Sequence, residues 1–340
     1  MLAELLDSIP RLDVEEIDRE PEGDGIDLIV RSSFGGEPLL FVCEVKTSGQ
    51  PRHVREAIFQ LRRYVQRLSA DAVPLVIAPF LSPQAQQLCR DEEMGFLDFE
   101  GNARIVAGNL FIERQVATRP KAEKRGLRSL FKPKSARVLR TLLRDPARAW
   151  RVIELAHEAE VSLGHASTVG KALREREWAE QSENGLKLVD PNGLLDAWAG
   201  DYEAPDGEEV RLYTHLHGPA FDEALRCVMG PNDRRRVALA SFTAANWLAP
   251  YGRNSTRYLY ADEAGLADLK VALKLGPAQK AANVVIRVPN EDGVLADTVR
   301  PEANIVCTSP VQTYLDLSNA GERGQEAAQH LRERLLQWPN

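Results

Sequence analysis

The chain has 340 residues, 44% of them hydrophobic and 27% charged, with a formal net charge of -7 at pH 7. That length accommodates two or three domains with ample core. The acidic balance excludes a protein that binds polyanions over its whole surface, so any nucleic-acid surface must come from local clustering. Cys43, Cys89, Cys227 and Cys307 are scattered without metal-ligand spacing, which suits a reducing compartment. The first residues lack the cationic and apolar stretches of a signal peptide, and no apolar run approaches a membrane span, which predicts a cytoplasmic protein.

The first 25 residues read as a short amphipathic helix followed by an acidic stretch around Glu15 and Glu16 and a Gly23-Asp24-Gly25 loop. Two β-like runs, 26–31 and 38–47, flank the turn Gly35-Gly36. A helix is predicted over 50–68, its outer face basic through Arg52, Arg55, Arg62, Arg63 and Arg67. The unbroken apolar run 73–78 predicts a buried strand. A second helix over 83–94 and short strands at 96–99, 103–107 and 110–114 complete a mixed α/β domain spanning 1–115. Residues 116–134 gather basic side chains, Lys132 and Lys134 among them, around Pro and Gly. The segment is either a solvated linker or a source of phosphate contacts.

Residues 135–204 read as a winged helix-turn-helix. Ala136, Val138, Leu139, Leu142 and Leu143 give a first helix its apolar stripe. Val152, Ile153, Leu155 and Ala156 do the same for a second. Ser162 is placed to cap a third helix, with Val169, Ala172 and Leu173 inward. Its outward residues are His165, Ser167, Thr168, Lys171, Arg174 and Arg176, and Glu160 occupies a turn position where Gly is common. Asn184-Gly185 signals a hairpin, so 178–189, with Lys187, forms the wing. In this motif the third helix enters the major groove with its N-terminal residues against base edges. A three-helix packing module would show the same apolar pattern. Beyond it, 205–340 alternates short strands and helices as an α+β unit, including a long apolar helix over 236–248 and paired helices from about Ser309 onward.

The most chemically suggestive residues lie early. Glu44 and Lys46 alternate onto one face of a strand, and Asp27 on the neighbouring run can reach that face if the register brings it level. Two carboxylates with the Val45 carbonyl would make a hard oxygen site suited to Mg²⁺. Lys46 beside them could orient a water or balance charge on a phosphate. A surface ion pair on an edge strand would give the same triplet. The ordered set of Asp27, Glu44-Val45-Lys46 and Gln60-Leu61-Arg62-Arg63-Tyr64 resembles the PD-(D/E)xK nuclease superfamily, Gln60 and Tyr64 corresponding to the Q-x-x-x-Y element of its RecB-like branch. That resemblance implies a restriction-endonuclease-like mixed sheet, with Asp27, Glu44, Lys46, Gln60 and Tyr64 as its catalytic set and Mg²⁺ as its cofactor if the site is active. No Walker-type loop, G-x-S-x-G or H-E-x-x-H occurs.

Two further stretches point elsewhere. Phe96-Leu97-Asp98-Phe99-Glu100-Gly101-Asn102-Ala103 looks like the "DLSGNA" signature of type IV toxin–antitoxin AbiEi-family antitoxins, and Ser309-Pro310-Val311-Gln312-Thr313-Tyr314-Leu315-Asp316-Leu317 resembles that family's "SPVQLYLDL" segment. The resemblance implies a transcriptional regulator that binds double-stranded DNA, represses its own operon and counters a nucleotidyltransferase-like toxin, in a phage-defence setting; because repressors usually bind paired half-sites as dimers, a homodimer is expected. The DNA-binding residues expected are Ser162, His165, Ser167, Thr168, Lys171, Arg174, Arg176 and Lys187, with Lys132 and Lys134 on phosphates. A Mg²⁺-dependent DNA nuclease targeted by the winged helix is the alternative.

Overall fold

The structure is a computed structural model that describes residues 6, 11–19, 25–68, 72–108, 110–116, 120–230, 236–252, 254–278 and 281–338. The helix expected at the N-terminus, Leu6 apart, and Gly23-Asp24 of the first loop lie outside the described residues. The chain forms two compact units: 1–126 with 171–177, and 127–170 with 178–340.

The first unit is built on one sheet. Its elements are β1 (Leu12–Arg19), β2 (Leu28–Phe34), β3 (Glu37–Val45), α1 (Pro51–Val65), β4 (Ala72–Ala78), α2 (Pro83–Asp91), β5 (Gly95–Asp98), β6 (Ala103–Ala107) and β7 (Leu110–Arg114). The seven strands lie side by side in chain order. β3, β4 and β5 are parallel, because α1 and α2 are the crossovers between them, and the remaining pairs are antiparallel. Both faces of β4 are buried: Val73, Leu75 and Ile77 join one apolar cluster, Val76 and Ala78 the other. Alternation along β3 sends Phe41 and Cys43 to the first cluster and Val42 to the second, which also holds Val54, Ala57, Ile58 and Leu61 of α1. Glu44, two residues after Val42, therefore lies on the α1 side. The start of the acidic stretch, Glu15 to Arg19, lies in strand β1, paired with β2 across a register shift between Val14 and Glu16. Most of its side chains are exposed, so an edge strand held by backbone bonds to β2 shows no apolar alternation, and its charges guard the edge.

The segment 116–134, read from the sequence as a basic linker, carries helix α3 (Lys121–Leu130) with Leu127 and Leu130 buried. There follow α4 (Pro133–Arg144), α5 (Val152–Glu158), α6 (Leu163–Glu175), the antiparallel hairpin β8 (Ala179–Ser182) and β9 (Gly185–Leu188), and α7 (Pro191–Gly200). Val138, Leu139, Leu142, Leu155, Ala156, Val169 and Leu173 are buried as expected, whereas Ile153 is exposed rather than inward.

The rest of the second unit is a second mixed sheet. In chain order it comprises β10 (Gly207–Tyr213), α8 (Pro219–Val228), β11 (Val237–Leu239), α9 (Ser241–Leu248), β12 (Arg257–Ala261), α10 (Glu263–Ala272) and β13 (Gly276–Pro277). It continues with β14 (Val284–Pro289), α11 (Gly293–Ala296), β15 (Thr298–Glu302), β16 (Ile305–Thr308), α12 (Pro310–Ser318) and α13 (Gly321–Leu335). The strand order is β13-β10-β14-β12-β11-β16-β15. The long helix expected over 236–248 is instead a buried strand, β11, and a separate helix, α9, broken at Ser241 with φ +48°. A short apolar run carries no periodicity that separates a core strand from a core helix.

Candidate functional sites

Helix α6 begins at Leu163, directly after the Ser162 that the sequence offers as its cap. The Ser162 hydroxyl oxygen accepts a bond from the His165 backbone N–H at 3.3 Å, satisfying one of the donors a helix start leaves open. Glu160 holds the preceding turn at φ +52°. At position 185 the backbone passes so near Trp150 that a Cβ would lie 2.3 Å from its carbonyl oxygen, at φ +127°, so glycine is required there. Ser162, Ser167, Thr168 and Lys171 are exposed, Lys132 and Lys134 are exposed at the start of α4, and Lys187 on β9 is half-buried.

The outward set is smaller than the sequence predicts. Arg176 is buried, donating to the Ala172 carbonyl at 3.1 Å and to Glu123 at 3.3 Å, so it is not a groove-facing cation. Arg174 is half-buried. His165 is half-buried with Nε2 3.2 Å from the Ser135 hydroxyl. The chain just past the helix is tied as well: Arg55 of α1 makes two bonds of 2.9 Å to Glu177. Helical spacing places Arg174 off the apolar stripe, but Arg176, seven residues after Val169 and three after Leu173, falls on that stripe, so its burial follows from the same periodicity.

The early carboxylates converge. Leu28 pairs with Cys43, which sets Asp27, just before β2, level with Glu44. Asp27 accepts a bond from the Val45 backbone N–H at 2.7 Å. Lys46, which follows β3 rather than lying within it, donates to Glu44 at 2.9 Å and to Gln60 at 2.6 Å. Its backbone N–H donates to the Ile77 carbonyl at 2.8 Å. Glu44 is buried, and its Oε1 has no hydrogen-bond partner among the described residues. Burial pushes the Glu44 carboxyl above its ordinary range and Asp27 adds to that, while the bond and charge of Lys46 oppose it. Tyr64, one turn beyond Gln60 on α1, is buried in the core with Val54, Ile58 and Leu61. Among the described residues no three His, Cys, Asp or Glu side chains group to hold a metal. The arrangement is a pair of adjoining carboxylates, one with an orphaned oxygen, beside a lysine.

The two signature stretches have structural explanations, and one leads to a site the sequence did not reveal. Asp98 is buried and accepts from the backbone N–H groups of Leu81, Glu100 and Asn102 and from the Asn102 amide, closing the turn in which Gly101 adopts φ +101°. Tyr314, Leu315 and Leu317 are core. Their neighbours Gln312 and Asp316, one turn apart on α12, build a buried polar network. Asp316 Oδ1 accepts from the Tyr202 hydroxyl at 2.6 Å, the Tyr260 hydroxyl at 3.0 Å and the Gln312 amide at 2.8 Å. Gln312 Oε1 in turn accepts from the buried guanidinium of Arg140 on α4 at 2.5 Å. Asp316 Oδ2 has no partner among the described residues. The i, i+4 spacing of Gln312 and Asp316 is visible in the sequence, but Arg140, Tyr202 and Tyr260 come from elements far apart in the chain.

Residues 187–337 match the profile of a family described as transcriptional regulator, AbiEi antitoxin, type IV TA system. Over that region the chain is similar to AbiEi antitoxins, as the motif at Ser309–Leu317 implies. Two solved structures also show similarity: EndoMS in apo form, at 19% identity and TM-score 0.23, and an EndoMS–dsDNA2 complex, at 20% and 0.21. They cover 29% and 28% of this chain, and 44% and 41% of their own, so the chain spans less than half of either. No curated protein matches the chain. Among the described residues no helix is long and apolar enough to cross a membrane.

Proposed function

We propose that the chain is a DNA-binding transcriptional regulator of the AbiEi antitoxin type, with α4 to β9 acting as a winged helix. The observation that carries this is the exposure of Ser162, Ser167 and Thr168 at the N-terminal end of α6, the end that such helices present to base edges, with exposed Lys171 one turn further along. Lys132, Lys134 and Lys187 supply nearby phosphate-seeking charge. The family match over 187–337 supports the regulatory class. On this reading the protein is a cytoplasmic homodimer on paired half-sites, and its C-terminal region meets a nucleotidyltransferase-like toxin. The test is a mobility-shift titration of the chain's own promoter fragment across salt concentrations. Affinity falls steeply with salt, and Lys171→Ala with Lys187→Ala lowers the logarithmic slope by about 1 for each phosphate no longer neutralised. Unchanged binding by that double variant would remove the helix and hairpin from the interface.

A second reading rests on its own observation, the convergence of Asp27, Glu44, Lys46 and Gln60. The residues fit a divalent cation: two hard carboxylates lie level, and Glu44 Oε1 is a buried acceptor with no donor among the described residues. Asp27, Glu44 and the Val45 carbonyl would hold Mg²⁺, which when bound supplies Lewis acidity toward a phosphodiester. Lys46, fixed by Glu44 and Gln60, would orient a water or steady the charged phosphate. This second reading makes the chain a metal-dependent DNA nuclease. Incubation with plasmid and single-stranded DNA plus Mg²⁺ or Mn²⁺ tests it; nicking is expected from the wild type and absent from Glu44→Ala, and no cleavage of either substrate refutes it.

A further inference from the structure

The second unit contains a cleft of about 780 Å³ that neither reading uses. Tyr202, Tyr260 and Asp316 of the polar network line it, and Asp316 Oδ2, closed off from water, has no partner among the described residues. A carboxylate oxygen withdrawn from water without a donor is costly unless something supplies an N–H or O–H. Small side chains also line it, Ala204, Ala240, Ala281 and Ala282 among them, together with the partly buried ring of Tyr258. The opposite character appears at the rim. Arg211 and Arg287 both pair with Glu209, at 2.9 and 2.6 Å, leaving that trio one positive charge in excess. Ser241, first residue of α9, also lines the cleft in the left-handed conformation, at φ +48°. Non-glycine residues held in that region cluster at ligand sites, and here the strained residue sits at the positive end of a helix.

We propose that this cleft binds a mononucleotide. Its planar base lies along the alanines and Tyr258, a ring N–H or exocyclic amine meets the Asp316 end, and the phosphate meets Arg211, Arg287 and the start of α9. The volume is in the range of small-ligand sites, about 300–1,000 Å³. A bare anion would satisfy the rim and leave Asp316 unanswered, and a simple amine would do the reverse. A nucleotide carries both groups on one body. This inference goes beyond the DNA-binding and nuclease readings and stands whether or not either holds.

The test is calorimetric titration of the full-length chain with ATP, GTP, CTP and UTP separately, and with inorganic phosphate. At least one nucleotide is expected to bind with one site per chain, far more tightly than phosphate alone. Arg211→Glu, a change at an exposed rim position, weakens that binding by about tenfold or more. Ala282→Trp, which fills the cleft, abolishes it, with circular dichroism verifying that each variant is folded. Asp316→Asn, which replaces the unpaired acceptor by an amide, changes which nucleotide binds best. Failure of all four nucleotides overturns the proposal, as does binding that phosphate alone reproduces or that survives both Arg211→Glu and Ala282→Trp.

Discussion

Each unit holds a carboxylate with one satisfied and one orphaned oxygen, Glu44 buried on a strand and Asp316 half-buried on a helix, and they keep it there by different means. In the first unit Glu44 is paired directly with Lys46, an ammonium that is itself held by Gln60. In the second, Asp316 is surrounded by neutral donors, and its cation, Arg140, acts at one remove through Gln312. Burial pushes both carboxyls above their ordinary range. A lysine in contact leaves the acid dependent on a single partner. A network of hydroxyls and amides spreads the same duty over Tyr202, Tyr260 and Gln312, and ties the first helix of the α4–α6 module to the C-terminal sheet.

Arg140→Ala should show the largest effect. It leaves Gln312 and Asp316 without their cation and removes the guanidinium stacked 5.4 Å from the Trp198 ring, at a cost of about 3–5 kcal/mol. Urea unfolding followed by tryptophan fluorescence reports this, since all five tryptophans lie at position 150 or beyond, within the second unit. Lys46→Met should cost less, about 1–3 kcal/mol, because Glu44 can keep a proton instead of its partner. Circular dichroism follows it, and an effect as large as that of Arg140→Ala would mean the two carboxylates are held alike. Tyr202→Phe should cost about 1 kcal/mol, since Tyr260 and Gln312 remain on Asp316; a larger drop on urea unfolding would mean the network acts as one unit.

The smallest expected change is one of pH dependence. Because the folded carboxyl of Glu44 titrates above the ordinary value of 4.5, the native state binds more protons than the unfolded chain between the two values. Its stabilising contribution is complete below 4.5 and is lost as pH rises through the raised value. Glu44→Gln should therefore gain on the wild type as thermal midpoints are compared from acid toward neutral pH. Adding Mg²⁺ at neutral pH should raise the wild-type midpoint and leave Glu44→Gln unmoved if the carboxylates hold the ion. Parallel midpoints across pH would show that Glu44 is not the strained acid its burial implies.

Much of this was legible in the residues. The apolar run at 73–78, the stripe from Ala136 to Leu143, the Ser162 cap and the Asn184-Gly185 turn each report local physics, and each element stands where that physics puts it. Asp27, Glu44, Lys46 and Gln60 were also recoverable, because strand alternation and hairpin register propagate predictably over a few residues. Strand β1 was not, since an edge strand satisfied by one neighbour needs no apolar alternation. The break at Ser241 was hidden because a short buried run looks the same as strand or helix.

By itself, then, the order of residues determined most element types and inward faces, set by interactions a few positions apart, and the small acid–lysine cluster, set by one hairpin and the helix that follows it. Tertiary structure alone decided that Arg176 meets Glu123, and that Arg140, Tyr202, Tyr260, Gln312 and Asp316 come together. Those outcomes depend on which surfaces pack together. The desolvation that makes a buried carboxylate or guanidinium consequential arises only once residues far apart in the chain have closed around it.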